Sequence, residues 1–457
     1  MTGQLYPTWL RPLGRGYYAF WGVLLLALKY NLDRWIAWRG YGVSWFPWHY
    51  LAPERAIGAT ADASNLAATL LLTSVPFIAI GLWLTWRRLR DIGLSGALLP
   101  LFFVPFLNVW FFIVLCVWAH RRGEPAEARV LNRVSSSLAG LRPFAMAAVT
   151  VAVTAGVSLP LVAFCTLVLQ DYGWGLFVGV PFLMGLLSSV LDGLPARHSF
   201  GRACGVAALS VVVTGLLCVA VAIEGVICVL MAAPLALILV LVGAVVGWSM
   251  QAEHWRRVRG EATRVYAVAG LSLPVLMVLE SQINAPPSVR PVTTAIEIAA
   301  PPQRVWDHVV SFAELPPPAE WWFTAGIAYP IRARIEGEGV GAIRYCEFST
   351  GAFVEPITVF DPPLQLGFDV VEQPAPLREW TPYSSIEPAH LDGFFRSRRG
   401  EFRLIPLDDG KSTRLEGTTW YEHRLWPSAY WRPWSDYLIH TIHDRVLSHI
   451  KTLAEAS

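Results

Sequence analysis

Residues 293–321 read TTAIEIAAPPQRVWDHVVSFAELPPPAEW, and this stretch decides the second part of the molecule. Residues 293–299 alternate apolar and polar side chains with the period of a strand. Pro301, Pro302 and Gln303 then open a predicted helix through Val310, since proline is favoured in a helix's first turn. Downstream, strand-like runs are expected at 327–335, 341–349, 354–361, 364–371 and 394–407. A last strand, 412–424, pairs with its predecessor across Asp408, Asp409 and Gly410, a strong hairpin signal. The chain closes with a predicted helix, 435–455. Its residues Leu438, Ile439, Ile442, Val446, Ile450 and Leu453 fall on one stripe. Upstream, residues 281–291 hold three prolines and read as a linker.

A strand, short helices, a run of antiparallel strands and a long closing helix give the order of the helix-grip fold. The residues IEIAAPPQRVWDHVVSFAELPPPAEW resemble the opening of the polyketide cyclase/START-like (SRPBCC) superfamily. There, a strand and Ala-Pro lead into a helix with Val-Trp and a loop ending in Trp, here Trp321. The resemblance covers residues 292–455. It implies a cavity for a hydrophobic molecule and leaves open whether that molecule is held, shuttled or transformed.

Strand alternation then proposes the cavity. If Phe402 and Leu404 face inward, so do Arg398, Arg396 and Phe394, with Leu415, Thr419, Tyr421 and His423 on the neighbouring strand. Arg344, Cys346 and Phe348 form the inner set of their strand. The expected ligand-binding residues are Tyr345 or Cys346, Phe368, Arg396, Arg398, Tyr421 and His423. Arginines in a mainly apolar pocket suit an amphiphile with an anionic head. Glu355, Glu379 and Asp392 lack a partner at a meaningful spacing, so no acid–base pair stands out and the catalytic residues stay unknown. His440, His443 and Asp444 lack a third ligand by spacing. No metal and no cofactor are expected. The six cysteines read as small buried hydrophobes.

Outward from this domain the composition changes. The chain of 457 residues is 54% hydrophobic and only 15% charged, against about 25% in soluble domains. Residues 143–250 carry only Asp171, Asp192, Arg197, Arg202 and Glu224 as charges. Apolar runs near the 20 residues a spanning helix needs occur at 17–38, 68–86, 97–119, 144–169, 173–191, 206–231 and 234–250, with a shorter one at 265–280. The first run lacks a small-residue cleavage site and is expected to remain as an anchor. Arginines cluster after several spans, and the positive-inside rule places all the clusters in the cytoplasm only if 97–119 is a re-entrant hairpin. A single crossing is the alternative. Glu224 is expected as an intramembrane polar residue, where a charge is expensive.

The segment RRLRDIGLSG, residues 87–96, resembles the hallmark RRLHDxGxSGWW of a bacterial inner-membrane family, domain of unknown function 805. Arg90 stands where that family has His, and Ala97 where it has Trp. The resemblance implies location, not chemistry. Arg87, Arg88, Arg90 and Asp91 are expected at the membrane boundary, where Arg reaches lipid phosphates.

The expected architecture is therefore a multi-pass α-helical membrane bundle followed by a soluble α+β helix-grip domain. It divides as 1–135, a first membrane domain; 143–283, a second helix bundle; and 291–457, the ligand-binding domain. The location implied is the bacterial inner (cytoplasmic) membrane. The expected function is binding of a lipid or other hydrophobic or amphiphilic small molecule near the bilayer. The rivals are a cyclase, hydratase or hydrolase acting on such a molecule, and a transporter or sensor with a regulatory soluble domain. A net charge of +2 carries no nucleic-acid signature.

Overall fold

The computed structural model describes residues 12–57, 62–118, 138, 142–195, 198–251, 259–283, 288–383, 386 and 388–456. The chain divides into two units: Met1–Ile223 with Val229–Pro286, and Glu224–Cys228 with Pro287–Ser457.

The first unit is helical. Its main helices are α1 (Arg15–Tyr41), α2 (Ala63–Ile92), α3 (Leu107–Val117), α4 (Pro143–Ala163), α5 (Val180–Asp192), α6 (Phe200–Ala220), α7 (Val226–Ser249, whose first residues fall in the second unit) and α8 (Arg259–Ser281). Five helical stretches are long and apolar enough to cross a membrane: Ala63–Ile92, Pro143–Leu169, Gly175–Asp192, Phe200–Ala220 and Val226–Ser249. α1 carries a buried ion pair instead. Lys29 bonds Asp33 and the Leu70 carbonyl, and the Tyr50 hydroxyl donates to Asp33 at 2.6 Å. A second buried network joins Arg55 to Asp171 at 3.1 Å and to Glu280 at 3.3 Å. Glu280 also accepts the backbone N–H groups of Trp174 and Gly175, orphan donors where a helical segment starts.

Two span boundaries differ from expectation. Pro234 does not separate two spans; it lies inside α7. The break falls earlier, at 221–225, where Ala222 adopts φ 58°. A membrane helix tolerates an interior proline because neighbouring groups take over the freed carbonyl. Glu224 is thus in the turn before α7, not deep in a span.

The segment 97–119 turns back on itself. It begins as a 3-10 run, Gly96–Phe103, breaks at Phe106 (φ 65°) and continues as α3. At 11 residues α3 is about 16 Å long, far short of the ~30 Å of a hydrocarbon core. Arg88, near the end of α2, is fully buried. It donates to the carbonyls of Leu115 (3.2 Å) and Trp118, and pairs with Asp91. The guanidinium therefore ties the end of the segment back to α2, just before the segment's start. The Arg-rich stretches at 119–137 and 252–258 lie outside the described residues.

Close backbone approach explains two glycines of this unit. A Cβ at Gly185 of α5 would lie 1.9 Å from the Val240 carbonyl, and one at Gly243 of α7 would lie 2.1 Å from that of Phe182. Only glycine lets these helices touch through their backbones.

The second unit contains a seven-stranded antiparallel sheet: β1 (Arg290–Ile298), β2 (Pro330–Glu336), β3 (Ile343–Phe348), β4 (Gly351–Asp361), β5 (Gln365–Asp369), β6 (Phe395–Leu407) and β7 (Ser412–His423). Their spatial order is β1-β7-β6-β5-β4-β3-β2. Helices α9 (Pro302–Val310) and α10 (Ser428–Ala456) complete it. Every expected strand is present. The closing helix starts seven residues before the expected Ser435, because Pro433 is accommodated within it between buried Trp431 and Ser435. Ile298, Val305, Phe312, Ile357, Leu366, Leu404, Leu415, Leu447 and Ile450 form one core between the sheet and α9 and α10. A sheet curled against a long C-terminal helix is the helix-grip fold.

A buried ion pair under the closing helix

The face of β3 that joins this core carries a charge. β3 and β4 form a hairpin in which Arg344 stands opposite Glu355. Both side chains are buried, 2% and 6% exposed, and Arg344 Nη1 donates to Glu355 Oε2. The guanidinium carbon lies 5.1 Å from the Phe368 ring centre and 5.7 Å from those of Phe312 and Phe402, within reach of cation–π attraction. Arg344 Nε has no hydrogen-bond partner among the described residues.

The electrostatics follow from burial. Desolvation disfavours the Arg344 charge, but the Glu355 carboxylate opposes it, and the guanidinium stays firmly protonated. Burial pushes the Glu355 carboxyl up while Arg344 holds it down. We take the pair as charged, because hydrogen-bonded partners in low dielectric stabilise each other's ionised forms. Burial pushes the Cys346 thiol up to about 12, so at neutral pH it is a small apolar group, not a nucleophile.

The expected pocket residues separate into three groups. Cys346 and Phe368 belong to the main core, beside Arg344. Tyr421 lies in a smaller cluster with Val292, Ile439 and Phe395, and donates to Asp436 at 2.5 Å. Burial raises the Tyr421 phenol, and the Asp436 bond raises it further. His423 stacks beside Tyr421 at 6.2 Å, its imidazole lowered to about 4 by burial and Arg432. Tyr345 takes the opposite face of β3, under Arg334 at 4.2 Å.

Arg396 and Arg398 do not share the inner side with Phe402 and Leu404. The β6–β7 register shifts between Ser397 and Arg399. A bulge inverts alternation beyond it, so Phe395 faces Tyr421 while both arginines are exposed. Arg398 bonds Glu422 at 2.6 Å and Arg399 stacks on Trp420 at 3.8 Å. The inward arginine is Arg344. Its partner was legible in principle, because the tight turn after Phe348 fixes which β4 residue stands opposite.

The boundary residues also divide. Arg87 and Arg90 lie over Trp83 and Trp86 at 4.6 and 4.7 Å. Arg88, with Asp91 paired to it, is interior and presents nothing to a headgroup. His440 and His443 serve as hydrogen-bond partners. Thr294 reaches Nδ1 of both, at 2.8 and 3.1 Å, and Thr419 reaches His443 Nε2 at 2.8 Å.

Residues 15–129 match the family model described as "Protein of unknown function (DUF805)". A search of the curated proteins finds no match. Among solved structures, the second unit is similar to a protein from Nitrosospira multiformis (18% identity, 36% of this chain, 94% of that one, TM-score 0.23). It is similar also to the Zhui aromatase/cyclase from Streptomyces sp. R1128 (16%, 36% and 94%, 0.24). A third is truncated norcoclaurine synthase from Thalictrum flavum (12%, 37% and 96%, 0.24). Likenesses this remote add nothing to the fold read from the topology and assign no function.

Proposed function

We propose that the second unit binds a lipid or other amphiphilic small molecule and that the apolar helices hold it at a membrane. The carrying observation is Arg344. A buried ion pair is seldom retained for stability, since hydrophobic residues of similar volume often do as well or better. Here the pair sits on the face of the sheet that meets α10, ringed by Phe312, Phe368 and Phe402. The aromatic rings suit an apolar tail. The guanidinium suits an acidic head, which would share or replace Glu355 as its partner through a bidentate contact. The five apolar helices support the membrane half of the reading.

The test is identification of lipids that co-purify with the full chain, by mass spectrometry after mild extraction. We expect an enriched anionic amphiphile in the native chain and its loss in an Arg344→Met, Glu355→Leu double variant that still folds. Equal lipid content in both would refute the reading.

A further inference from the structure

Three metal-ligating side chains from distant parts of the sequence meet within the second unit, at the turn that begins α7. Glu224 and Cys228 stand four residues apart, and His390 comes from the short 3-10 turn Ala389–Leu391. Cys228 Sγ lies 2.9 Å from His390 Nε2, and His390 Nδ1 lies 3.5 Å from Glu224 Oε2. One donor atom from each residue lies within 4.8 Å of the other two. The His390 and Glu224 side chains are only 9% and 11% exposed.

We propose that Glu224, Cys228 and His390 bind a divalent cation of borderline softness, with Zn2+ the best match. The donor set carries the choice. A thiolate, an imidazole and a carboxylate are all zinc ligands, whereas magnesium and calcium take oxygens. Bonds of about 2.0–2.3 Å in a tetrahedron space the ligands about 3.3–3.8 Å apart. Cys228 and His390 therefore separate by less than about 1 Å to admit the ion. The cation also makes electrostatic sense, because it lets a carboxylate and a deprotonated sulfur share a desolvated site. Three protein ligands leave the fourth position for water or another donor.

Glu379 positions the sulfur. Its carboxylate accepts the backbone N–H groups of Ile227 (3.0 Å) and Cys228 (3.2 Å), orphan donors of the first turn of α7. Gly225 makes room for it, since a Cβ there would lie 2.0 Å from Glu379 Oε2. An imidazole between a thiol and a carboxylate is also the layout of a nucleophilic triad. Burial decides between the two. His390 and Glu224 are about nine-tenths covered, so the imidazole is closed to a substrate that Cys228 would attack, while an ion needs no such access.

The test uses the full chain in detergent, stripped with a chelator and titrated with Co2+ and then Zn2+. We expect one Co2+ per chain with a thiolate-to-cobalt charge-transfer band, displaced by Zn2+. Cys228→Ser removes the band. Glu224→Gln and His390→Ala each weaken binding at least tenfold, while His440→Ala and His443→Ala change nothing. In the native chain, Zn2+ slows alkylation of Cys228, mapped by peptide mass spectrometry, so the site is tested even if a variant fails to fold. A band that survives Cys228→Ser overturns the proposal, as does a folded native chain that takes up no stoichiometric Co2+. Alkylation of Cys228 at the same rate with and without Zn2+ overturns it as well.

Discussion

Replacing Arg344 by Met tests whether the buried pair is built for stability or for a ligand. The substitution keeps a long unbranched side chain but leaves Glu355 buried without its cation. Removing one partner of a buried pair costs about 3–5 kcal/mol. Glu355 can relieve part of that by taking a proton, since burial already pushes its carboxyl up. In the variant its folded pKa rises further above the unfolded value of about 4.3. A carboxyl with a raised folded pKa loses stability as pH climbs from the unfolded value towards the folded one. The variant is therefore weakest at neutral pH and recovers on acidification. The double variant Arg344→Met, Glu355→Leu removes both charges and is expected within about 1–2 kcal/mol of the native chain, or above it. Hydrogen exchange of the β3 and β4 amides in the full chain reads the difference. Since each ~1.4 kcal/mol is tenfold, the single variant exchanges roughly a hundredfold faster or more at neutral pH. A double variant as unstable as the single one would refute the reasoning, because then the pair itself stabilises the fold.

Three further outcomes are expected. Reporter fusions at Arg90 and Arg133 fall in the same compartment, because Arg88 ties Leu115 and Trp118 back to the end of α2; opposite compartments would sink a hairpin. His423 and His443 sit at about 4, both lowered mainly by burial, with Arg432 and His440 respectively adding to it. A histidine with a depressed folded pKa loses its contribution as pH falls from about 6.5 to about 4, by up to about 1.4 kcal/mol per pH unit for each group. Unfolding across that window checks this, and replacing His443 by Gln should flatten the slope. A fragment of residues 288–457 unfolds cooperatively in urea, since that length buries an ordinary core; a broad, non-cooperative loss of signal would count against it.

The strands were legible because alternation is a property of each segment alone. Ile296 and Ile298 on β1, or Leu404 on β6, announce their face from sequence. What alternation does not contain is the bulge. One extra residue between Ser397 and Arg399 leaves Phe402 and Leu404 where they were expected and turns Arg396 and Arg398 out. Proline misled at Pro234, read as a break between two spans. At Pro234 and Pro433 the helix continues. The meeting of Cys228 with His390 spans 162 residues, and no local pattern encodes it.

Arg88 and Arg344 are both fully or almost fully buried, and their partners differ in a way that bears on the role proposed for Arg344. Every nitrogen of Arg88 has a partner: Nε donates to Leu115, Nη1 to Leu13 and Asp91, and Nη2 to Trp118. Its acceptors are mostly backbone carbonyls, so its charge is spent tying the end of α3 to α2. Four of its five donors are used, and full burial closes it to a ligand. Arg344 holds Glu355 through Nη1 and bonds the Cys346 side chain, leaves Nε without a partner among the described residues, and has aromatic faces around it. Since guanidinium offers five donors in a fixed fork, the Nε–H of Arg344 is left over inside a hydrophobic core. Leaving buried donors unmade is costly. A fold that needed only packing there would be served as well by an apolar side chain, and the spare donor supports the proposed reading of Arg344 as the partner of an acid.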